Sequence, residues 1–136
     1  MDLETARAHF RRNHQAVMVT ARLDGRPQTS PVTASVDGEG RIVVSTRETA
    51  MKVKNLERHP QGSICGLGES FFGPWVQVDG PVTIVRLPAA MEPLVEYYRS
   101  IRGEHPDWDD YRAAMERDRR VLLRLTIAAA GPDTAG

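Results

Sequence analysis

The chain has 136 residues, of which 40% are hydrophobic and 26% are charged. These values are typical of one globular domain with a single core, and they exclude a chain that is disordered over most of its length. Eighteen basic residues balance eighteen acidic ones, so no overall charge attracts nucleic acid or an anionic membrane, and an anionic ligand must meet a local cluster of cations.

The first half of the chain predicts a helix followed by an antiparallel meander. Leu3, Ala6 and Phe10 have helical spacing, and alternating apolar residues then predict strands separated by glycine-containing turns. The predicted elements are, in order, a helix within residues 1–12, strands at 17–23, 32–36 and 41–46, and a helix at 48–58.

The second half predicts further strands, two helices and a closing strand. The predicted elements are strands at 61–68 and 74–86, helices at 87–101 and after Pro106, and a strand at 121–127. Asp79-Gly80-Pro81 is expected to bend the second of these strands. Six hairpin-linked strands with few helices favour a mainly β fold, a closed or split antiparallel barrel. We expect one domain over residues 1–129 and a frayed tail at 130–136.

Cysteine usage and hydropathy predict a cytoplasmic protein. The single cysteine, Cys65, cannot form an internal disulfide. The acidic first residues do not resemble a secretory signal, and no apolar run approaches the ~20 residues that span a bilayer. The spacing of the histidines and the cysteine predicts no metal site.

The segment from Ser45 to Leu56 is the best candidate for an anion site. A strand runs here into a helix, and the first turn of a helix offers free backbone N–H groups that bind phosphate. Thr46 and Thr49 can add hydroxyl groups, and the cations are Arg47, Lys52 and Lys54. If the helix begins at 48, Arg47, Met51 and Lys54 share one face and Lys52 lies on another. The alternative is a surface ion pair between Glu48 and Lys52.

A glycine-bracketed loop carries three aromatic residues, Phe71, Phe72 and Trp75. They could contact a flat ring or a partner subunit. The alternative is that the two phenylalanines close an open end of the barrel. No grouping of serine, histidine and acid predicts a nucleophile or a general base, which favours a protein whose bound cofactor carries the chemistry.

The segment from 45 to 60 resembles the signature of the pyridoxamine 5'-phosphate oxidase-like split β-barrel family. The residues that carry the likeness are Ser45, Thr46, Lys52, Asn55, Leu56 and Pro60. Segments 24–32 and 103–123 are similar to the actinobacterial branch of that family, which binds the deazaflavin coenzyme F-420. The sixteen arginines against two lysines agree with such an origin.

The resemblance implies a homodimer with the cofactor ring in a groove between two barrels. It implies that the cofactor phosphate lies near Thr46, Arg47 and Lys52, and Ser45 and Met51 are further cofactor-binding candidates. It further implies that the ring lies along the strand at residues 30–32, under Trp75 of the partner protomer. Lys54 and arginines at the rim would then meet the oligoglutamate tail of F-420. The ring-binding residues are then Ser30, Pro31 and Val32.

The function that the resemblance implies is an F-420-dependent reductase, an oxidoreductase that transfers a hydride to a small conjugated organic acceptor. True pyridoxamine phosphate oxidases carry an arginine and a histidine near the C-terminus for the substrate phosphate. This chain has Ile127-Ala-Ala-Ala-Gly there, so vitamin B6 oxidation is not expected. The alternatives are an FMN-binding oxidoreductase of the same fold and a non-catalytic cofactor carrier or sensor.

Overall fold

A computed structural model describes residues 1–133. Its elements are α1 (Leu3–Arg12), β1 (Gln15–Ala21), β2 (Pro27–Val36), β3 (Ile42–Arg47), α2 (Met51–Arg58), β4 (Gln61–Gly66), β5 (Val76–Val85), α3 (Met91–Arg102), α4 (Trp108–Arg117), β6 (Arg120–Leu125) and β7 (Ala129–Gly131). Within this range no helix is both long enough and apolar enough to cross a membrane.

Six strands close into an antiparallel barrel, which confirms the predicted fold class. The sheet runs β4-β1-β2-β3-β6-β5, and pairing between β5 and β4 completes the circle. Each neighbouring pair is antiparallel. The pairing of β3 with β6 joins segments more than seventy residues apart, with Thr46 opposite Val121. This pairing determines which residues surround the cavity described below.

The hairpin between β1 and β2 follows from its turn residues. Gly25 has a φ of +87°, a backbone conformation that glycine adopts without strain. The N–H of Arg22 donates to the carbonyl of Arg26 at 2.8 Å across the turn. Along β1 the buried residues alternate with more exposed ones, because successive side chains of a strand point to opposite faces.

Strand β5 contacts three other strands and runs without a break from Val76 to Val85, so the bulge or bend expected at Asp79-Gly80-Pro81 does not interrupt its pairing with β4. One edge of β5 pairs with β4, while the other pairs with β7 before Gly80 and with β6 after it. A Cβ at Gly80 would lie 1.9 Å from the carbonyl oxygen of Thr126. Only glycine therefore lets the chain cross from β6 to β7 at this point.

Strand β7 corrects the expected start of the tail. Residues 130 and 131 were expected to be frayed, but they pair with Gln77 and Val78 of β5. The ladder gives the backbone of 129–131 hydrogen-bonding partners, which a run of small residues in the sequence did not indicate. The expectation for 134–136 lies outside the described residues.

The apolar interior consists of two clusters. The larger fills the barrel and includes Phe10 of α1, which is fully buried. The smaller lies between the outer face of the sheet and helices α3 and α4. Phe71 and Phe72 are 71% and 94% exposed, so the interpretation that they close the barrel is wrong.

Helix α2 begins three residues later than the sequence predicts. Its N-cap is Ala50, and the N–H of Glu48 donates to the carbonyl of Arg119 at 2.9 Å. Because Arg47 remains in β3, it cannot share a helical face with Met51 and Lys54. The prediction that Arg47 and Lys54 lie together on one helical face, apart from Lys52, is therefore wrong.

Candidate functional site

A cavity of about 960 Å³ lies where the barrel meets α3 and α4. Its size lies at the upper end of the range for small-molecule sites, roughly 300–1,000 Å³. The residues that line it are Gln15, Ala16, Val17, Pro31, Val32, Thr33, Ser45, Thr46, Lys52, Leu67, Tyr97, Tyr98, Ile101, Arg102, Tyr111, Met115 and Arg120.

This lining is cationic, although the whole chain is neutral. Lys52, Arg102 and Arg120 contribute positive charge, and none of the lining residues found within 1–133 is an aspartate or a glutamate. A second cavity of about 460 Å³ is different, because its arginines lie beside carboxylates. Its charged residues are Asp37, Glu39, Arg41, Glu92, Glu96 and Arg124. The first cavity is therefore the one suited to an anionic ligand.

Lys52 and Arg120 form the most polar end of the cavity. The Nζ of Lys52 donates to the Oγ1 of Thr46 at 3.5 Å, a long contact. Burial, together with the positive charge of Arg120, lowers the pKa of Lys52 below its ordinary value. The Nε of Arg120 is buried without a hydrogen-bond partner in the described chain, and Asp118 approaches it only to 4.0 Å.

Two cations with so little compensation favour an anion. A buried donor left unpaired costs free energy, and a nearby like charge adds to that cost. A phosphate placed here would accept hydrogen bonds from the lysine, the arginine and the hydroxyl of Thr46, and it would neutralise their repulsion. The charge and donor set of this end therefore fit a phosphate group.

The secondary structure holds this end in place. The β3–β6 ladder places Thr46 beside Val121, the residue after Arg120. On α2, the buried Asn55 donates to the Oγ1 of Thr20 at 3.1 Å and to the Oε1 of Gln28 at 2.8 Å. These bonds connect the helix that carries Lys52 to β1 and β2.

The helical side of the cavity is aromatic. The hydroxyl of Tyr97 donates to the carbonyl of Thr33 at 2.7 Å, which joins α3 to β2. The rings of Tyr98 and Tyr111 lie 5.1 Å apart. Tyr111 donates to the carbonyl of Leu94, and burial raises the pKa of Tyr111 to about 12. The three tyrosine rings provide flat, largely apolar surface on this side of the cavity.

The structure brings together half of the predicted site residues. Those that line the cavity are Pro31, Val32, Ser45, Thr46 and Lys52. The others do not line it: Ser30, Arg47, Met51, Lys54 and Trp75. Glu48 pairs with Arg86 at 3.2 Å, so the alternative pair with Lys52 is wrong. Trp75 instead borders a small cavity beside β7.

Sequence reasoning missed Arg102, Arg120 and the tyrosines of α3 and α4. Each arginine is one of sixteen in the chain. Arg120 lies in segment 103–123, which carries the family likeness, but the likeness gives it no role. Only the pairing of β3 with β6 shows that Arg120 approaches Lys52. Residues 1–133 contain no group of three or more His, Cys, Asp or Glu side chains that could hold a metal ion.

The fold is that of a split-barrel protein, and its cationic cavity suits an anionic small molecule. The model of the pyridoxamine 5'-phosphate oxidase family matches residues 3–131. The chain belongs to that family, and at the family level it is an oxidoreductase-type, cofactor-binding barrel.

Solved structures share the fold at low sequence identity. A conserved hypothetical protein from Mycobacterium tuberculosis has a TM-score of 0.78 at 19% identity, covering 100% of this chain and 92% of that one. An F-420 reductase has a TM-score of 0.69 at 20% identity, covering 91% and 94%. The heme storage protein HutZ from Vibrio cholerae has a TM-score of 0.70 at 19% identity, covering 96% and 94%.

Proposed function

We propose that the protein is a reductase that depends on the deazaflavin coenzyme F-420 and reduces a small conjugated acceptor in the cytoplasm. The observation that carries the proposal is the cavity with an aromatic surface, which residues 1–133 line with three cations and no acid. The similarity of its fold to an F-420 reductase supports the choice of cofactor. When bound in its reduced form, the coenzyme would supply a hydride to an electrophilic carbon, and a proton from solvent would complete the product.

The roles of the residues follow from their places in the cavity. Lys52, Arg120 and the hydroxyl of Thr46 would bind the phosphate of the coenzyme. Pro31 and Val32 of β2 would support the ring, as expected from the sequence. The tyrosines of α3 and α4 would limit the access of water to the acceptor, which favours hydride transfer over side reactions.

The working unit we propose is a homodimer. Phe71 and Phe72 contact each other edge to face, with ring centroids 4.9 Å apart, while both remain exposed. A second copy of the chain would remove this apolar surface from water. Light scattering at micromolar concentration should report two chains. A stable monomer that binds the cofactor would refute a groove shared between two protomers.

Cofactor titrations test the proposal. Fluorescence titration of the purified protein should show tighter binding of F-420 than of FMN, and the protein loaded with reduced F-420 should oxidise it on addition of a conjugated enone. Tighter binding of FMN, or copurification of FMN at full occupancy, would support the alternative of a flavin enzyme. Tight binding of F-420 without turnover of any acceptor would support a carrier or sensor.

A matched pair of variants tests whether the cofactor binds in the cavity. Lys52→Ala removes a cation that lines the cavity, whereas Lys54→Ala removes an exposed cation outside it. We expect only the first to weaken cofactor binding. Weakening by Lys54→Ala alone would contradict the assignment of the phosphate to this cavity. Weakening of F-420 by both variants would keep the phosphate in the cavity and return the tail-binding role to Lys54.

A further inference from the structure

Arg102 is the cation of the cavity that the phosphate end does not use. It lies in the last turn of α3, on the side formed by the tyrosines. Burial raises the pKa of Tyr97, and the charges of Arg120 and Arg102 both oppose that rise. Burial and the charge of Arg120 both lower the pKa of Lys52. Arg102 lies on α3 with Tyr97 and Tyr98, whereas Lys52 and Arg120 lie on α2 and β6.

Two other arginines of α3 and α4 have acidic partners. Arg99, one turn earlier on α3, pairs with Glu96 and Glu104. Arg112 pairs with Glu92. Arg102 has no ion pair with any residue from 1 to 133, which leaves its planar guanidinium free to bind a carboxylate through two parallel hydrogen bonds.

The surface around Arg102 is flat and apolar. Tyr98 and Ile101 precede it on α3, and Met115 of α4 lines the same cavity. A conjugated molecule that lies on this surface would have a cation at its edge. The combination fits a flat organic acid better than a neutral ring, because only the acid would add a charge-assisted hydrogen bond to the exposed guanidinium.

We propose that Arg102 binds a carboxylate and thereby selects a conjugated organic acid as the acceptor. The part of this inference that names the acceptor rests on the proposed function. The binding of a carboxylate by Arg102 is independent of it. The glutamate tail of the coenzyme could also supply the carboxylate. Arg47 and Lys54, the cations first expected to meet that tail, lie outside the cavity. The acceptor is the source we favour, because Arg102 shares α3 with the tyrosines that line the cavity, whereas Thr46, Lys52 and Arg120 lie on β3, α2 and β6.

The first experiment measures binding without the coenzyme. Cinnamate and its methyl ester, followed by NMR chemical shifts on the full chain, compare an acid with a neutral molecule of the same shape. We expect the protein to prefer the acid, and Arg102→Gln to lower its affinity by roughly tenfold. Arg117→Gln is the matched control, an exposed arginine in the last turn of α4 outside the cavity.

A further variant separates the two ends of the cavity. Lys52→Ala should leave the affinity for cinnamate unchanged if the acid binds at Arg102. If Lys52→Ala lowers that affinity and Arg102→Gln does not, the acid binds at the phosphate end and the proposal fails. Equal affinities of Arg102→Gln and Arg117→Gln would also overturn it.

The second experiment identifies the source of the carboxylate. F-420 and its glutamate-free form are titrated against the wild type and Arg102→Gln. If the acceptor supplies the carboxylate, the variant binds both forms like the wild type. If only the glutamate-bearing form is weakened, Arg102 binds the tail and the acceptor assignment is overturned. A wild type that binds cinnamate at Arg102 but neither coenzyme form would refute the proposed function and leave the carboxylate site standing.

Discussion

Replacement of Lys52 by alanine should affect ligand binding and folding in different ways. The side chain has no acidic partner among the described residues, and its amine is half-buried beside Arg120. Removing it deletes one charge-assisted hydrogen bond to the phosphate, worth about 1.5–3 kcal/mol. At about 1.4 kcal/mol per tenfold, the Kd should rise roughly 10- to 150-fold.

The ligand-free protein should not lose stability. Burial and repulsion both disfavour the charged amine in the folded state, and the variant removes both. We expect the free energy of unfolding in urea to remain within about 0.5 kcal/mol of the wild type, or to rise. A loss of more than about 1 kcal/mol would mean that Lys52 stabilises the fold, contrary to the contacts described above.

Ligand-induced stabilisation provides the assay. Ligand at 100 times the wild-type Kd adds about 2.7 kcal/mol to the free energy of unfolding of the wild type. If the Kd of the variant is tenfold weaker, the same concentration adds about 1.4 kcal/mol, and if it is a hundredfold weaker, about 0.4 kcal/mol. Undiminished stabilisation of the variant would refute the reasoning.

Three further predictions concern the fold. Gly80→Ala should lower the free energy of unfolding in urea by more than about 3 kcal/mol, because its Cβ would collide with the carbonyl of Thr126; a stable variant would contradict that close approach. Asn55→Ala should cost about 1–3 kcal/mol, since it leaves the buried hydroxyl of Thr20 without its donor; an unchanged midpoint would show that water replaces the amide. Burial lowers the pKa of His9 below its usual 6.5, so the folded state binds its proton less readily than the unfolded state. Stability should therefore fall as the pH drops below 6.5, and His9→Leu should reduce that acid loss, measured by thermal unfolding from pH 7.5 to 5; equal slopes would mean that His9 plays no part.

Local patterns predicted the barrel because each strand carries its own signal. Alternation along β1 and the Asp24-Gly25 turn depend only on neighbouring residues, and the register of a hairpin is fixed by its turn. The seventh strand had no such signal. The three residues of β7 are small, and they become a strand because Gly80 lets the chain pass close to β5.

The sequence predicts only the part of the site that β3 and α2 supply. Ser45, Thr46 and Lys52 lie within eight residues, so a strand-to-helix motif shows them together. Arg120 joins them through the β3–β6 ladder, and Arg102 joins them through the packing of α3 on β2. Neither of these long-range contacts can be derived from one sequence, because single arginines carry no periodicity and their partners are far away in the chain.

The contrast between a neutral chain and a cationic cavity also has a kinetic consequence. A protein with no net charge exerts little long-range attraction, and at physiological ionic strength fields fade over about 8 Å. The three cations therefore act on a polyanion only after it has diffused to the mouth of the cavity. Added salt should slow the final docking step more than the first encounter, and common buffer anions such as phosphate should occupy the cavity in competition with the cofactor.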